Sequence, residues 1–515
     1  LSAPTTNRSP QGGTPQSQAA PRRGFLSNVA STWDYVRQRP GFDYLMLRII
    51  IFLLVGIGLA MVYSASMTWS LAENTSLWAQ ALRQSIMVFA GFIGFVMMLR
   101  LRPSFIRKAV PWLLGISILL LVLVLIPGIG TGREEVGSQS WIVLGPLSLQ
   151  PSEIARVTVG IYGAAVLADR KQARLSFKDP FAIYGYIASA MFLLIILEGD
   201  VGMAASFAVV VVLTMFFAGF DWRALALIFF LGALGLVGLL LGGGFRSHRF
   251  HTYFDALRGN IEDTQGTGFQ AYQGFLSLAD GGVSGVGLGQ SRAKWFYLPE
   301  AKNDFIYAIV GEELGLWGAA LVVILFGGLG WIGIRTASRA QTQFQALLAA
   351  TLTAGVVSQA FFNIGYVVGL LPVTGIQLPM ISAGGTSAII TITSMGLLAS
   401  VARHEPENIS AMQNYGRPLF DRLFFIPEPR PAQSAGSRAR GRRGEVRGDR
   451  PADVDRHAPQ RRRGPGSGDR DTRGQRTARG ARGSRSARGG REEYGRPVTS
   501  RRSRAQFRDD RGQRW

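Results

Sequence analysis

The sequence predicts an all-α polytopic membrane protein with about ten transmembrane helices and disordered termini. Three observations predict it: apolar runs of membrane length recur through the middle of the chain, Lys and Arg concentrate in alternate short loops, and composition changes abruptly past residue 402. Apolar residues make up 47% of the 515 positions. They avoid both ends, so the average hides a bilayer-filling part and a part too polar to form a core.

A hydrocarbon core of ~30 Å requires ~20 mostly apolar residues in helix. Runs of that kind lie at roughly 45–65, 81–99, 109–127, 152–168, 181–197, 201–219, 222–242, 305–334, 344–371 and 378–401. This divides the chain into a linker (1–43), a transmembrane domain (44–402) with one large loop (243–304), and an Arg/Gly-rich tail (403–515). The segment before the first run is long, basic and polar and has no small-residue cleavage site, so no cleavable signal peptide is expected. The chain has no Cys, which excludes disulfides, thiolate catalysis and Cys-based zinc sites.

Orientation follows from the retention of positive residues on the cytoplasmic side. Arg37, Arg39 and Arg48 precede the first run, and Arg100, Arg102, Arg107 and Lys108 join the second to the third. Arg170, Lys171, Arg174 and Lys178 follow the fourth, and Arg335 and Arg339 the eighth. Both termini are therefore expected in the cytoplasm of a bacterial cell, with the alternate loops facing outward. The 243–304 loop breaks the bias with Arg246, Arg249, Arg258, Arg292, Lys294 and Lys302. Outward cations suit an anionic ligand, although long loops also translocate regardless of charge.

Three outward segments hold candidate functional residues. The first runs from Gly137 through Trp141 to Gln150-Pro151-Ser152-Glu153 and Arg156. Trp141 suits an interfacial belt or a ligand contact, and Glu153 suits a helix first turn. Arg156 lies a turn inside an apolar run and must pair or face water, with Glu153 its nearest candidate partner. The second segment carries Gln270 and Gln273, a glycine-rich stretch from Gly281 to Gly289, and Leu298-Pro299-Glu300-Ala301-Lys302-Asn303-Asp304. The glycines follow no strand and lack a GK[ST] sequence, so a tightly turned or re-entrant loop is expected rather than a nucleotide site. Asp304 stands where a helix cap would, with Glu312 and Glu313 buried further along the same run. The third, Gly369 to Ser387, contains Pro372, Pro379 and Ser382. Broken helix at membrane depth requires a covering protein or a water-filled cavity.

The motifs SQSWIVLGPLSLQPSEIAR, GFQAYQ with GGVSGVGLGQS, LPEAKNDFIYAIVGEELG and GLLPVTGIQLPMISAGGTS, in that order across the apolar runs, resemble the SEDS family of FtsW and RodA. The LPEA form followed by IVGEELG is closer to the FtsW branch. The resemblance implies a peptidoglycan glycosyltransferase that polymerises lipid II at the outer face of the cytoplasmic membrane during septal synthesis, with Asp304 as the essential acid. It marks Trp141 and Glu153 as further functional positions. The chain departs from the family pattern at Lys302-Asn303 for His-Thr, Ser140 for Arg, Arg156 for Lys, and Ala383 for an aromatic.

On their own chemistry, Arg246, Arg249 and Lys302 suit a diphosphate leaving group, and Asp304 suits a base for the acceptor hydroxyl. Arg156, Gln270, Gln273 and Ser382 complete the candidate substrate contacts. A divalent cation, Mg²⁺ or Mn²⁺, shared between Asp304 and the diphosphate is compatible with one carboxylate, although no dedicated cage is visible. Expected partners are lipid II, a class B penicillin-binding transpeptidase and other division proteins. The tail, basic at 438–443 and 461–463, suits anionic lipids or an acidic cytoplasmic partner; nucleic acid is not expected for a tethered tail. An elongation-type polymerase, a lipid-linked precursor flippase and a scaffold remain alternatives.

Overall fold

The computed structural model describes residues 35–430 apart from 36, 73–77, 134–136, 146, 170–178, 242–266, 296–297 and 299–300. Helices stand at all ten predicted runs. They are α1 (Phe42–Ala72), α2 (Ala79–Arg100), α3 (Pro103–Val124), α4 (Pro151–Leu167), α5 (Pro180–Leu197), α6 (Val201–Phe217), α7 (Trp222–Leu241), α9 (Ile306–Arg339), α10 (Gln343–Val367) and α11 (Thr386–Arg403). An additional helix, α8 (Thr267–Gly281), precedes α9, and α12 (Pro406–Tyr415) and α13 (Leu419–Leu423) follow α11. Among the described residues, seven helices (α1, α2, α3, α5, α9, α10 and α11) are long and apolar enough to cross a membrane. Of the others, α6 is apolar but has 17 residues, and α4, of equal length, carries Glu153 and Arg156.

The helices form one bundle around α10 and α11, whose spans are 67% and 83% buried against 22% for α3. Close approach depends on small residues, as in other membrane helix pairs. At Gly396 of α11 an added Cβ would lie 2.6 Å from the Phe95 backbone of α2, so no larger residue fits that crossing. The described Lys and Arg of the short loops (Arg37, Arg39, Arg100, Arg102, Arg107, Lys108, Arg335 and Arg339), with Arg48 near the start of α1, mark one end, here termed the basic end. At the opposite end β1 (Gly130–Thr131), β2 (Trp141–Leu144) and β3 (Leu147–Leu149) form an antiparallel sheet in chain order.

The 243–304 region is not simply an extended loop. Residues 242–266, with Arg246, Arg249 and Arg258, lie outside the described residues, whereas α8 packs along α9 and the stretch after it folds inward. α9 breaks at Gly315, whose φ of 66° and ψ of −166° are non-helical. A break frees backbone groups that lipid cannot satisfy, and the glycine-rich stretch satisfies them. Val286 N–H donates to Glu312 O at 2.9 Å, Gly287 N–H to Glu313 O at 3.0 Å, and Leu316 N–H to Gly282 O at 3.0 Å. These glycines therefore seal a broken helix.

Two boundaries differ from the sequence expectation. The tenth run begins as helix at Thr386, not 378, because Pro379 cannot donate and Gly385 sits at φ 49°. The folded domain also continues past 402: residues 403–430 turn back under the bundle, with Ile409, Met412 and Ile426 buried. The reason is apolar content that the composition change conceals, since Phe420, Phe424 and Ile426 punctuate this stretch.

Candidate functional site

A cavity of about 640 Å³ opens at the end opposite the basic one. Arg83, Gln80 and Gln84 of α2 form a polar wall and Lys302 and Asn303 another; Trp141, Val143 and Leu147 of the sheet supply the apolar side. Gly384, Gly385 and Thr386 lie at the start of α11 and complete it. Large and amphiphilic, it suits a ligand with an anionic centre and a less polar body.

The strand pairing explains Trp141. It sits on β2 opposite Thr131, whose Oγ1 donates to the Trp141 carbonyl at 3.2 Å, and its side chain lines the cavity.

Residues 301–304 are fixed from three sides. The Ser382 hydroxyl donates to Asn303 O at 2.6 Å and accepts from Leu378 N–H at 2.8 Å, while Ala383 N–H donates to Lys302 O at 3.0 Å. Asn363 Nδ2 and the Tyr366 hydroxyl each donate to Asp304 O at 2.8 Å, and both also hold Ile376 O. Lys302 Nζ spans to Gln80 Oε1 at 2.9 Å. The third segment thus serves mainly to hold the second, and Ser382, buried at 4% exposure, acts as a staple rather than a cavity contact.

Asp304 itself is half-buried, next to the cavity-lining Asn303. It does not cap α9: Phe305 is the N-cap residue, with no side-chain capping bond. The Asp304 carboxylate lies against Gly375, where an added Cβ would come 3.4 Å from Oδ2, and Gly375 holds φ 73°. Capping therefore does not account for an acid at this position.

Glu153 and Arg156 lie inside the bundle and not on the cavity wall. The Ser387 hydroxyl donates to Glu153 Oε1 at 2.7 Å, joining α4 to α11. Arg156 donates from Nη1 to Gly355 O at 3.0 Å, and its side chain borders a separate void of about 20 Å³ with Thr351, Thr391 and Ser394. Glu153 and Arg156 do not hydrogen-bond each other; they remain neighbouring opposite charges on α4, and each bonds to another helix. Gln270 and Gln273 are half-buried on α8, away from the cavity lining. Arg246 and Arg249 lie outside the described residues.

Lys294, counted above with the outward cations, is instead buried. Its Nζ pairs with Glu313 Oε1 at 3.2 Å, with side chains 4% and 0% exposed, and donates to Ser64 Oγ at 3.3 Å. Glu312 accepts from the Ser291 hydroxyl at 2.7 Å and Arg292 N–H at 2.6 Å. These acids hold the loop before Asp304 onto α9. Sequence reasoning missed Gln80, Arg83 and Gln84. Their i, i+3, i+4 spacing at the head of an apolar run puts three polar side chains on one helix face, a signal that was available.

A family model described as a cell cycle protein, covering FtsW, RodA and SpoVE, matches residues 44–407. The probable peptidoglycan glycosyltransferase FtsW of Mycobacterium tuberculosis is 40% identical over 398 residues, 76% of this chain and 74% of that protein. Stage V sporulation protein E of Bacillus subtilis is 37% identical over 360 residues, 70% of this chain and 97% of that protein. Among solved structures, a chain of a peptidoglycan synthase complex that coordinates polymerization and crosslinking matches at 24% identity and TM-score 0.56, covering 70% of this chain and 97% of that one. The rod shape determining protein RodA of Thermus thermophilus matches at 24% identity and TM-score 0.51, over 70% of this chain and 96% of that one. At that identity the likeness is one of fold.

Proposed function

Because the chain belongs to the FtsW, RodA and SpoVE family of multi-pass membrane proteins, we propose that it is a peptidoglycan glycosyltransferase polymerising lipid II into glycan strands, of the division type. The observation that carries this reading is the amphiphilic cavity beside Asp304, with Arg83 and Lys302 among its lining residues and an apolar sheet face among the others.

In the reaction an acceptor sugar hydroxyl attacks the anomeric carbon of a diphosphate-linked sugar. The new C–O bond forms as the bond to the phosphate oxygen breaks, the diphosphate lipid leaves, and the hydroxyl proton passes to a base. Asp304 is the proposed base, and it need take the proton only as the bond forms. Lys302 and Arg83 would oppose the charge that develops on the diphosphate, as preorganised cations do in a site partly shielded from water. Trp141 and Leu147 would pack the less polar part of the substrate. Direct displacement by one acid implies inversion at the sugar, by analogy with inverting glycosidases.

Among the described residues no group of three His, Asp or Glu side chains could cage a metal ion. Asp304 is the residue that would hold a divalent cation, which would supply positive charge at the diphosphate; the proton and charge roles above are assigned to protein side chains alone.

The Lys/Arg distribution supports a cytoplasmic basic end, with both termini inside and the cavity facing out. A penicillin-binding transpeptidase is the proposed partner, on the likeness to the synthase complex, and the division septum the proposed location. The tail beyond residue 430 lies outside the described residues; its proposed ligand is anionic lipid or an acidic division protein. The decisive experiment is purified protein incubated with lipid II. Polymeric glycan should form; lipid II crossing the bilayer without polymer would favour a flippase.

A further inference from the structure

The chain does not leave the bundle where α11 ends. Arg403 donates from Nε to Asp421 Oδ2 at 2.7 Å and from Nη2 to Pro427 O at 2.6 Å. The Tyr44 hydroxyl donates to Asp421 Oδ1 at 2.7 Å. These bonds pin residues 419–427 against α11 and α1 as a hook.

The hook packs its rings onto α1 and α2. The Phe420 ring meets Phe52 at 6.0 Å, and the Phe424 ring meets Phe92 edge-on at 5.3 Å. Phe52 lies ten residues into α1, and Phe92 eight residues before α2 ends at Arg100. At ~1.5 Å per residue these contacts stand about 15 and 12 Å along their spans. α2 is about 33 Å long by the same rise, close to the ~30 Å of a hydrocarbon core. The inward side of the hook is therefore packed on the apolar flanks of α1 and α2 near their basic ends, beside Arg48 and Arg100.

Its other side is bare and apolar. Leu419, Leu423 and Phe425 are 83%, 70% and 80% exposed. Phe425 is held at φ 50°, a left-handed conformation that is uncommon for a bulky residue and costs free energy. Exposed cations border the patch: Arg422 on α13, and Arg100, which donates to Phe424 O at 2.8 Å. Large apolar side chains level with the ends of membrane spans and edged by arginines match the chemistry of a lipid interface, where apolar groups enter the acyl boundary and cations meet headgroup phosphates.

We infer that the hook is a membrane wedge: Leu419, Leu423 and Phe425 insert into the leaflet at the basic end, with Arg100 and Arg422 among the headgroup phosphates. Only the chain's spanning of the membrane is assumed, so the inference stands or falls independently of the polymerase reading. It also differs from a lipid contact by the basic tail, since every residue named precedes residue 430.

The Cys-free chain permits a direct test. Leu423→Cys, Phe425→Cys and Ser410→Cys are each spin-labelled in the full-length protein and reconstituted into vesicles of three parts phosphatidylcholine to one of phosphatidylglycerol. Collision with dissolved oxygen, which partitions into lipid, is compared with collision with a water-soluble nickel chelate. Oxygen should exceed nickel several-fold at positions 423 and 425, and the order should reverse at the exposed position 410. Nickel dominating at 423 and 425 would put the hook in water and overturn the wedge. Protection from both reagents would overturn it equally, by showing a protein partner or second copy on the patch. Two labelled sites guard against one variant that misfolds.

Discussion

Arg403 and Asp421 form an ion pair of 2.7 Å with side chains 2% and 0% exposed, tying the last membrane helix to a segment that composition assigns to the tail. Truncation separates the two descriptions. A stop after residue 430 should leave melting in detergent and glycan synthesis unchanged. A stop after residue 410 removes Asp421 and Pro427, both partners of Arg403, together with the Phe420 and Phe424 packing, so melting should fall clearly below that of the longer truncation. Equal melting temperatures for the two truncations would show that the hook adds no stability.

The Lys294–Glu313 pair makes a second prediction. Lys294→Met leaves Glu313 buried with the Ser64 hydroxyl, which donates at 2.6 Å, as its principal remaining partner. Melting should fall by the equivalent of ~3–5 kcal/mol. The double variant Lys294→Met, Glu313→Gln should recover most of it, because the unpaired charge is gone. A double variant no more stable than the single one would mean that the pair is not the relevant interaction.

Asp304→Asn keeps size and shape and removes the charge and basicity. Capping is not at stake, since Phe305 holds that position. If Asp304 is the base, polymerisation should fall ~10²-fold or more, the usual scale for general-base loss, with melting and lipid II binding near normal. Glycan synthesis at the parent rate by folded variant protein would remove the assignment.

Glu198, between α5 and α6, is 2% exposed, and neither carboxyl oxygen has a partner among the described residues. Burial, reinforced by the charge of Asp200, pushes its pKa up to about 9 from 4.5. The folded state therefore holds a proton that the unfolded state releases, so stability should decline as pH rises through the window from 4.5 to 9 and level off above it. Glu198→Gln should melt above the parent at pH 8, with the gap closing toward pH 5. A gap independent of pH would exclude Glu198 as the titrating group.

Orientation is tested by thiol labelling in cells. Leu144→Cys, on the exposed side of β2, should react with an impermeant reagent from outside, and Ser410→Cys on α12 should not. Reaction at both positions would contradict the inside placement of the basic end.

The sequence alone determined the series of membrane-length helices, because filling a bilayer requires apolar runs of fixed length. It also placed Asp304, Trp141 and Ser382 in the segments that meet around the cavity, since prolines, glycines and acids at span ends are costly in lipid unless protein or water covers them. Only the tertiary structure decided which of these residues face the cavity. Ser382 and Glu153 bond to other helices, Lys294 is neutralised by an acid nineteen positions away in the chain, and Arg83 reaches the cavity from a helix that pattern reading had treated as plain span. Burial and pairing are properties of several elements packed together, and a linear sequence carries no distance between them.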